Sequence, residues 1–585
     1  MTNEELPILF RNDPYAKHYG NQYIKKMKYL EEVVTSYETG ETNFLVLNFE
    51  GGLGKSFHLL KVLNQYLSDP TWQRNVLVVK KFKAEIDRAV DYLSGQGQWS
   101  VLGITADNWT GDWARKAGEL QNIRVLFITH DRYMKLCLNE KERHYFTENR
   151  HVLVIDEKVT FPIYTFKNSL YNSVRGAFNR SIQEVFDRVC EPLRDWLDKF
   201  QDSKNQCFQV RAKFKPEIVT QFKSIVEANW SSTPKKMWED VDYFIKGLDV
   251  WYGTVCVYNA GNISGVHPLH RHWGLATNLI LDASASIDGV YKMNPRKFQI
   301  MNQGLVIDHE KCKFNVYKFN TSKSNIQRNE AELFPEIARK IKETLQPHEK
   351  LLIICHKNYA AKLCAHLAAE EIEDVLLHEK DVEYSGQQVV INWYGNIVGK
   401  NDYSKFQKCW LIGTPNLPFE QYLVHYQQYS FTGLGRKGMT LRNGRFANKK
   451  YKTVQVGYIA AEMYQALKRI QRVVEPEGEF NIVSNDPEVV KLVLHRFKNV
   501  VHREEFEFGF KERQEAEKDE NRNRRVIELA KYFESLQKGV YSKREIREAV
   551  GIDQAHFSDY LKNERIVRLV QNKVITMTYR SIERL

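Results

Sequence analysis

The chain has 585 residues, 43% of them hydrophobic and 12% aromatic, which is enough apolar side chain for several packed cores and excludes wholesale disorder. Its formal charge of +12 and pI of about 9.0 favour a polyanionic partner, nucleic acid first. No window approaches a membrane-spanning apolar run, and the opening MTNEELPILF has no basic leader, so the expectation is no membrane partner, no secretory signal and a cytoplasmic setting.

Residues 1–43 carry a helical rhythm, with Tyr23, Met27, Leu30, Val33 and Val34 on one face. Short apolar runs then alternate with helical stretches: FLVLN (44–48), NVLVVK (75–80), VLFIT (125–129) and VLVID (152–156). Strands without polar alternation are buried on both faces, the mark of a parallel sheet covered by helices. From 160 to 275 long amphipathic stretches predict a mostly helical insertion, after which NLILDASA (278–285) returns to the earlier style. A second α/β series follows in KLLIICH (350–356), EDVLLH (373–378), QVVINWYG (388–395), KCWLIGTP (408–415) and VQVGYI (454–459), all read as strands.

The charged segment 511–525 reads as an exposed helix or linker. The last 60 residues read as a small separate domain. KREIREAV and QAHFSDYLKN are two amphipathic helices around the turn GID, the spacing of a helix-turn-helix. RIVRLVQNKVITMTY then alternates and turns at QNK like the hairpin of a winged helix. Gln554, His556, Ser558 and Lys562 are the outward candidates for DNA contact, and residues 536–585 hold ten Lys/Arg against six Asp/Glu. Such folds also dock proteins, and both uses stay open. The cysteines form no C-x-x-C pair and read as reduced, buried thiols.

FEGGLGKS (49–56) follows a strand and precedes an amphipathic helix. That is the context of a phosphate loop, in which backbone N–H groups curl around phosphates, lysine reaches the terminal phosphates and the hydroxyl binds Mg²⁺. Gly54, Lys55 and Ser56 fit the pattern; Phe49 stands where the first glycine is usual, with Gly51, Gly52 and Leu53 between. VLVIDEKV supplies the acids such a loop needs. Asp156 would hold Mg²⁺ and Glu157 would polarise the attacking water.

In this order the series resembles the superfamily 2 helicases, in which two RecA-like domains clamp ATP. FEGGLGKS resembles motif I and VLVIDEKV motif II. LILDASAS resembles motif III through Ser284, Ala285 and Ser286, with a serine in the third position where the family has threonine. QALKRIQR resembles motif VI, with Gln465, Arg469 and Arg472 at helical i, i+4, i+7 spacing and Lys468 where glycine is usual. The resemblance implies that these arginines reach the γ-phosphate from the opposite domain. It also implies motif V around Gly399 and Asn401, motif IV in LLIICHKNYAAKLCAHL, and Gln22 against adenine. The large insertion between motifs II and III is similar to the DinG-like branch, which often carries four cluster-binding cysteines; only Cys137 stands in that region, so no iron–sulfur cluster is expected.

The implied fold is α/β: RecA-like domain 1 over 1–159 and 276–310, a helical insertion over 160–275, RecA-like domain 2 over 311–500, a charged linker over 501–525, and a winged-helix domain over 526–585. The implied activity is ATP- and Mg²⁺-dependent helicase or translocase action on nucleic acid, DNA favoured over RNA, in replication or repair. A protein partner in those processes would dock on the insertion or the winged helix. The alternatives are an RNA helicase and an ATP-switched, DNA-binding replication initiator or regulator without unwinding activity.

Overall fold

The computed structural model describes residues 6–96, 100–109, 117–201, 203, 205–213, 216–378, 385–397, 402–435 and 439–585, with backbone alone at 96, 117, 511–520 and 555. Contacts divide it into a large unit (1–325 and 338–505) and a small one (326–337 and 506–585). Among the described residues no helix is long and apolar enough to cross a membrane.

The large unit is built on two seven-stranded sheets. The first runs in the order Phe298–Met301, Phe44–Leu47, Thr277–Leu281, Val152–Asp156, Val76–Lys80, Val125–Thr129, Val101–Ile104, every neighbouring pair parallel. Alternate residues of one strand enter different cores: Phe44, Val46, Leu77 and Val79 pack on one face, Leu45, Leu47, Val76 and Val78 on the other. Burial on both faces is why these strands read as unbroken apolar runs. The second sheet runs Val375–Leu377, Val389–Trp393, Leu351–Cys355, Lys408–Ile412, Glu479–Val483, Lys313–Tyr317, His502–Phe506. Its first six strands are parallel. The chain is therefore α/β, with two RecA-like parallel-sheet domains.

VQVGYI is not a strand. It lies inside the helix Lys449–Leu467, whose residues are buried almost all round; a helix with no solvent face shows the same apolar run as a buried strand. Gly457 in that run has a packing role. A Cβ there would stand 2.3 Å from the backbone N of Gly289, and one on Gly289 would stand 2.1 Å from the carbonyl O of Thr453. The two glycines let backbone of the two lobes touch.

The region 160–275 is dominated by helices but also holds a sheet that the sequence did not reveal. Helices Asn168–Gly176, Arg180–Lys199, Pro216–Ala228 and Trp238–Gly253 pack with a four-stranded antiparallel sheet, Ile163–Phe166, Asn262–Val266, Cys256–Asn259, Phe208–Val210. The hairpin turns on Ala260 (φ 44°) and Gly261 (φ 83°), the two positive φ values that a two-residue loop between twisted strands requires. This sheet is also fastened to the second lobe. Cys207 N–H donates to Met439 O at 2.9 Å and Leu441 N–H to Asn205 O at 2.8 Å. Glu420, fully buried on the helix Phe419–Ser430, accepts from Asn262 Nδ2 at 3.1 Å and Ser264 Oγ at 3.4 Å. Burial pushes its carboxyl up to about 7.

In the small unit, helix Gly509–Ser535 begins under the Glu336 carboxylate, which accepts from the N–H of Gly509 at 2.7 Å and of Phe510 at 3.2 Å. An anion at a helix N-terminus satisfies orphan donors and meets the positive end of the helix dipole. Strand Gly539–Ser542 then leads to helix Lys543–Val550, whose Ser542 and Glu545 form a capping box. Gly551 (φ 64°) ends that helix, and Gln554–Leu561 follows. The tail departs from a simple hairpin. Glu564–Gln571 is a third helix, Lys573 (φ 57°) turns the chain at QNK into the strand Ile575–Met577, and the hairpin turns later, at 578–581. The apolar positions Ile566 and Leu569 are three apart, a helical spacing that the short run leaves ambiguous. The three strands order as Gly539–Ser542, Ser581–Arg584, Ile575–Met577, both pairs antiparallel.

Candidate functional site

The loop after strand Phe44–Leu47 has two glycines at positive φ, Gly52 (88°) and Gly54 (78°), the latter capping the helix Lys55–Leu67. Phe49 is fully buried, as is Glu50, which pairs with Lys26 at 2.7 Å and accepts the N–H of Ile307 at 3.1 Å. The loop thus enters its turn from a fixed root in place of the missing first glycine.

Asp156 ends the strand Val152–Asp156 two places across the same sheet. Lys80, the last residue of the adjacent strand Val76–Lys80, bonds its carboxylate at 2.9 Å, with both groups buried. Burial by itself would raise the Asp156 carboxyl; Lys80, Lys55 and a hydrogen bond from the Ser56 hydroxyl hold it below its ordinary value. Glu157 follows in the left-handed region (φ 70°), its N–H bonded to Leu281 O at 3.1 Å. A non-glycine residue held there is strained backbone of the sort that collects at functional sites. Glu85 joins the cluster, its carboxyl raised chiefly by burial.

The other wall comes from the second lobe. Gln465 lies on the helix Lys449–Leu467, but that helix stops at Leu467, so Arg469 and Arg472 do not share a helical face with it. Gln471 (φ 50°) turns the chain, held by its Nε2 donating to Phe406 O at 2.8 Å and its Oε1 accepting from Glu477 N–H at 2.9 Å. The turn carries both arginines to the loop. A Cβ on Gly52 would meet the Arg472 side chain at 3.2 Å, and one on Gly51 would meet Lys468 Cβ at 3.3 Å. Gly51 N–H also donates to Tyr464 Oη at 3.3 Å. Arg469 is 1% exposed, faces Glu157, Glu462 and Glu85, and has no hydrogen-bond partner on Nε among the described residues. Burial, then Arg469, push Arg472 down to about 9; burial, then Arg472, push Lys468 down to about 8. Burial disfavours the charged form of both groups, and the neighbouring cation adds to it.

One cavity of about 330 Å³ is lined by Gly51, Gly52, Gly54, Lys55, Ser56, Asp156 and Glu157 from the first lobe and by Gln465, Arg469 and Arg472 from the second. Leu53 is buried beneath the loop. Ser284 stands behind the cavity, its hydroxyl on Asp282 at 2.6 Å and within 3.5 Å of Gln465 Nε2. Ala285 is fully buried, and the buried Ser286 hydroxyl has no hydrogen-bond partner among the described residues. Gln22 is exposed on the helix Asn21–Thr35 and is not among the residues that line this cavity. Its neighbour Tyr23 faces the loop, with its hydroxyl on Asp13 at 3.0 Å. Gly399 and Asn401 lie outside the described residues. In the small unit Gln554, His556, Ser558 and Lys562 are exposed, and Lys562 is tied to Asp559 at 3.2 Å.

Lys80, Glu85 and Ser404 also belong to this site. Of these only Lys80 has a signal in the sequence, a lysine closing an otherwise apolar strand. The donors suit a hard cation beside a phosphate: a hydroxyl and a carboxylate in hydrogen-bonding contact next to a glycine loop and a lysine.

No family model and no curated protein matches the chain. Among solved structures it is similar to an apo XPD, at 12% identity and a TM-score of 0.54 over 83% of this chain and 99% of that one. It is also similar to an XPD helicase, at 11% identity and a TM-score of 0.50 over the same shares. The chain shares with these structures its fold of two RecA-like α/β domains.

Proposed function

We propose that the protein is an ATP-hydrolysing nucleic-acid helicase or translocase near the DinG-like branch, working on DNA in replication or repair. The observation that carries this reading is the single cavity walled by the phosphate loop and Asp156–Glu157 on one side and by Arg469 and Arg472 on the other. Lys55 and the loop N–H groups bind the triphosphate. Ser56 and Asp156 hold Mg²⁺, which when bound neutralises phosphate charge. Glu157 orients the attacking water, and Arg469 supplies positive charge at the γ-phosphate from the second lobe. Gln465 links that wall to Ser284, so a change at the phosphate reaches both lobes. Opening and closing of the cavity would move a strand bound across the two sheets. The net charge of +12 supports a polyanionic track. The domain boundaries given by the sequence are part of this proposal, with 526–585 as a winged helix that grips DNA.

The test is ATP turnover with and without single-stranded DNA, single-stranded RNA and duplex, with Lys55→Ala as control. Strong stimulation by single-stranded DNA, lost in the variant, is the expected result. Stimulation by RNA alone would make the protein an RNA helicase. Turnover indifferent to every nucleic acid would overturn the motor and leave the ATP-switched DNA-binding regulator.

A further inference from the structure

Tyr579 is 91% exposed, more than any other large hydrophobic side chain among the described residues. It sits with Arg580 at the tip of the hairpin joining Ile575–Met577 to Ser581–Arg584. The tip is stiff. Thr578 N–H donates to Ser581 O at 2.9 Å, Ser581 N–H to Thr578 Oγ1 at 3.0 Å, and the two hydroxyls stand 2.7 Å apart. Lys543 N–H donates to Arg580 O at 3.1 Å, which brings a second cation to the same tip.

Several cations on the neighbouring helices are already paired with carboxylates. Lys562, just past Gln554–Leu561, is paired with Asp559, Arg568 with Glu564, and Arg544 with Glu548. Lys543 and Arg580 have no carboxylate partner among the described residues. The segment Gln554–Lys562, where the sequence places the DNA contacts, therefore offers no unpaired lysine or arginine, while the hairpin tip offers two beside an unpacked aromatic ring. An exposed ring flanked by free cations matches the flat face of a nucleobase between two phosphates. A base can present that face only where it is unpaired or at the end of a duplex.

We propose that Tyr579 is a stacking post for the unpaired base at a duplex–single-strand junction, with Arg580 and Lys543 on the flanking phosphates. This rests on the reading of the chain as a nucleic-acid enzyme and names the part of the small unit that makes contact. Loss of one base stack corresponds to about a 5- to 100-fold loss of affinity, and loss of one phosphate contact lowers the salt slope by about one.

The test is fluorescence anisotropy of the full chain, without ATP, on a labelled fork, a blunt duplex of the same sequence and a single strand. Tyr579→Ala is expected to weaken fork binding by that factor and blunt-duplex binding far less, while Tyr579→Phe keeps the wild-type affinity. Arg580→Ala and Lys543→Ala are expected to weaken binding to all three and flatten the salt dependence. Unchanged fork binding in Tyr579→Ala, an equal loss in Tyr579→Phe, or an equal loss on blunt duplex would each overturn the proposal. Stimulated ATP turnover in the same preparation separates the two readings. If it is intact while Tyr579→Ala binds normally, only the stacking post fails; if the wild type binds no nucleic acid, both fail.

Discussion

Replacing Lys80 by methionine isolates the electrostatics at the centre of the cavity. Lys80 Nζ lies 2.9 Å from a buried Asp156 oxygen, and Lys80 itself is 4% exposed. Removing one partner of a buried pair leaves the other charge uncompensated, which costs about 3–5 kcal/mol. The pH dependence identifies the cause. In the wild type the Asp156 carboxyl is held below its ordinary value, so its contribution is present above about pH 4 and lost as the pH falls. In Lys80→Met the opposing burial dominates and raises the carboxyl, so stability is instead lost as the pH rises. The gap between the two proteins therefore widens from pH 4 toward pH 8. Urea unfolding across that range measures it, and Lys80→Met/Asp156→Asn should recover most of the loss at pH 8. A loss under about 1 kcal/mol, a gap independent of pH, or a double variant no better than the single one would refute the reasoning.

Three further outcomes are expected. Glu420 titrates near 7 instead of 4.5 in the fold. A raised carboxyl is a penalty that grows as the pH climbs between those values, so Glu420→Gln should match the wild type at about pH 4 and exceed it by about 3 kcal/mol at about pH 8, read from thermal unfolding. Gly457→Ala places a methyl 2.3 Å from Gly289 N; the lobes must part, and turnover should fall at least tenfold while nucleotide affinity changes little, read by steady-state kinetics and nucleotide titration. Glu336→Ala uncaps the N–H groups of Gly509 and Phe510 and should cost about 1–2 kcal/mol in hydrogen-exchange protection of the first turn of Gly509–Ser535.

The sequence by itself determined most strands of the two parallel sheets, because strands buried on both faces are apolar throughout, as in FLVLN, VLVID and LLIIC, but not the inner strands Lys313–Tyr317 and Glu479–Val483 of the second sheet. It also marked the glycine-rich loop between a buried strand and the helix Lys55–Leu67, where the structure places two glycines at positive φ. Edge strands left no such trace: His502–Phe506 is polar and mostly exposed, and Val101–Ile104 is interrupted by Gly103. The antiparallel sheet of the insertion is built from strands of three to five residues, too short for periodicity to separate from helix. The helix containing VQVGYI was hidden for the opposite reason, since burial on every side erased its amphipathic stripe. Only the tertiary structure decided that Arg469 and Arg472 reach the loop from a turn held by Gln471, that Lys80 neutralises Asp156, and that Gln22 stays in solvent. Each depends on contacts between residues tens to hundreds of positions apart, which local pattern does not encode.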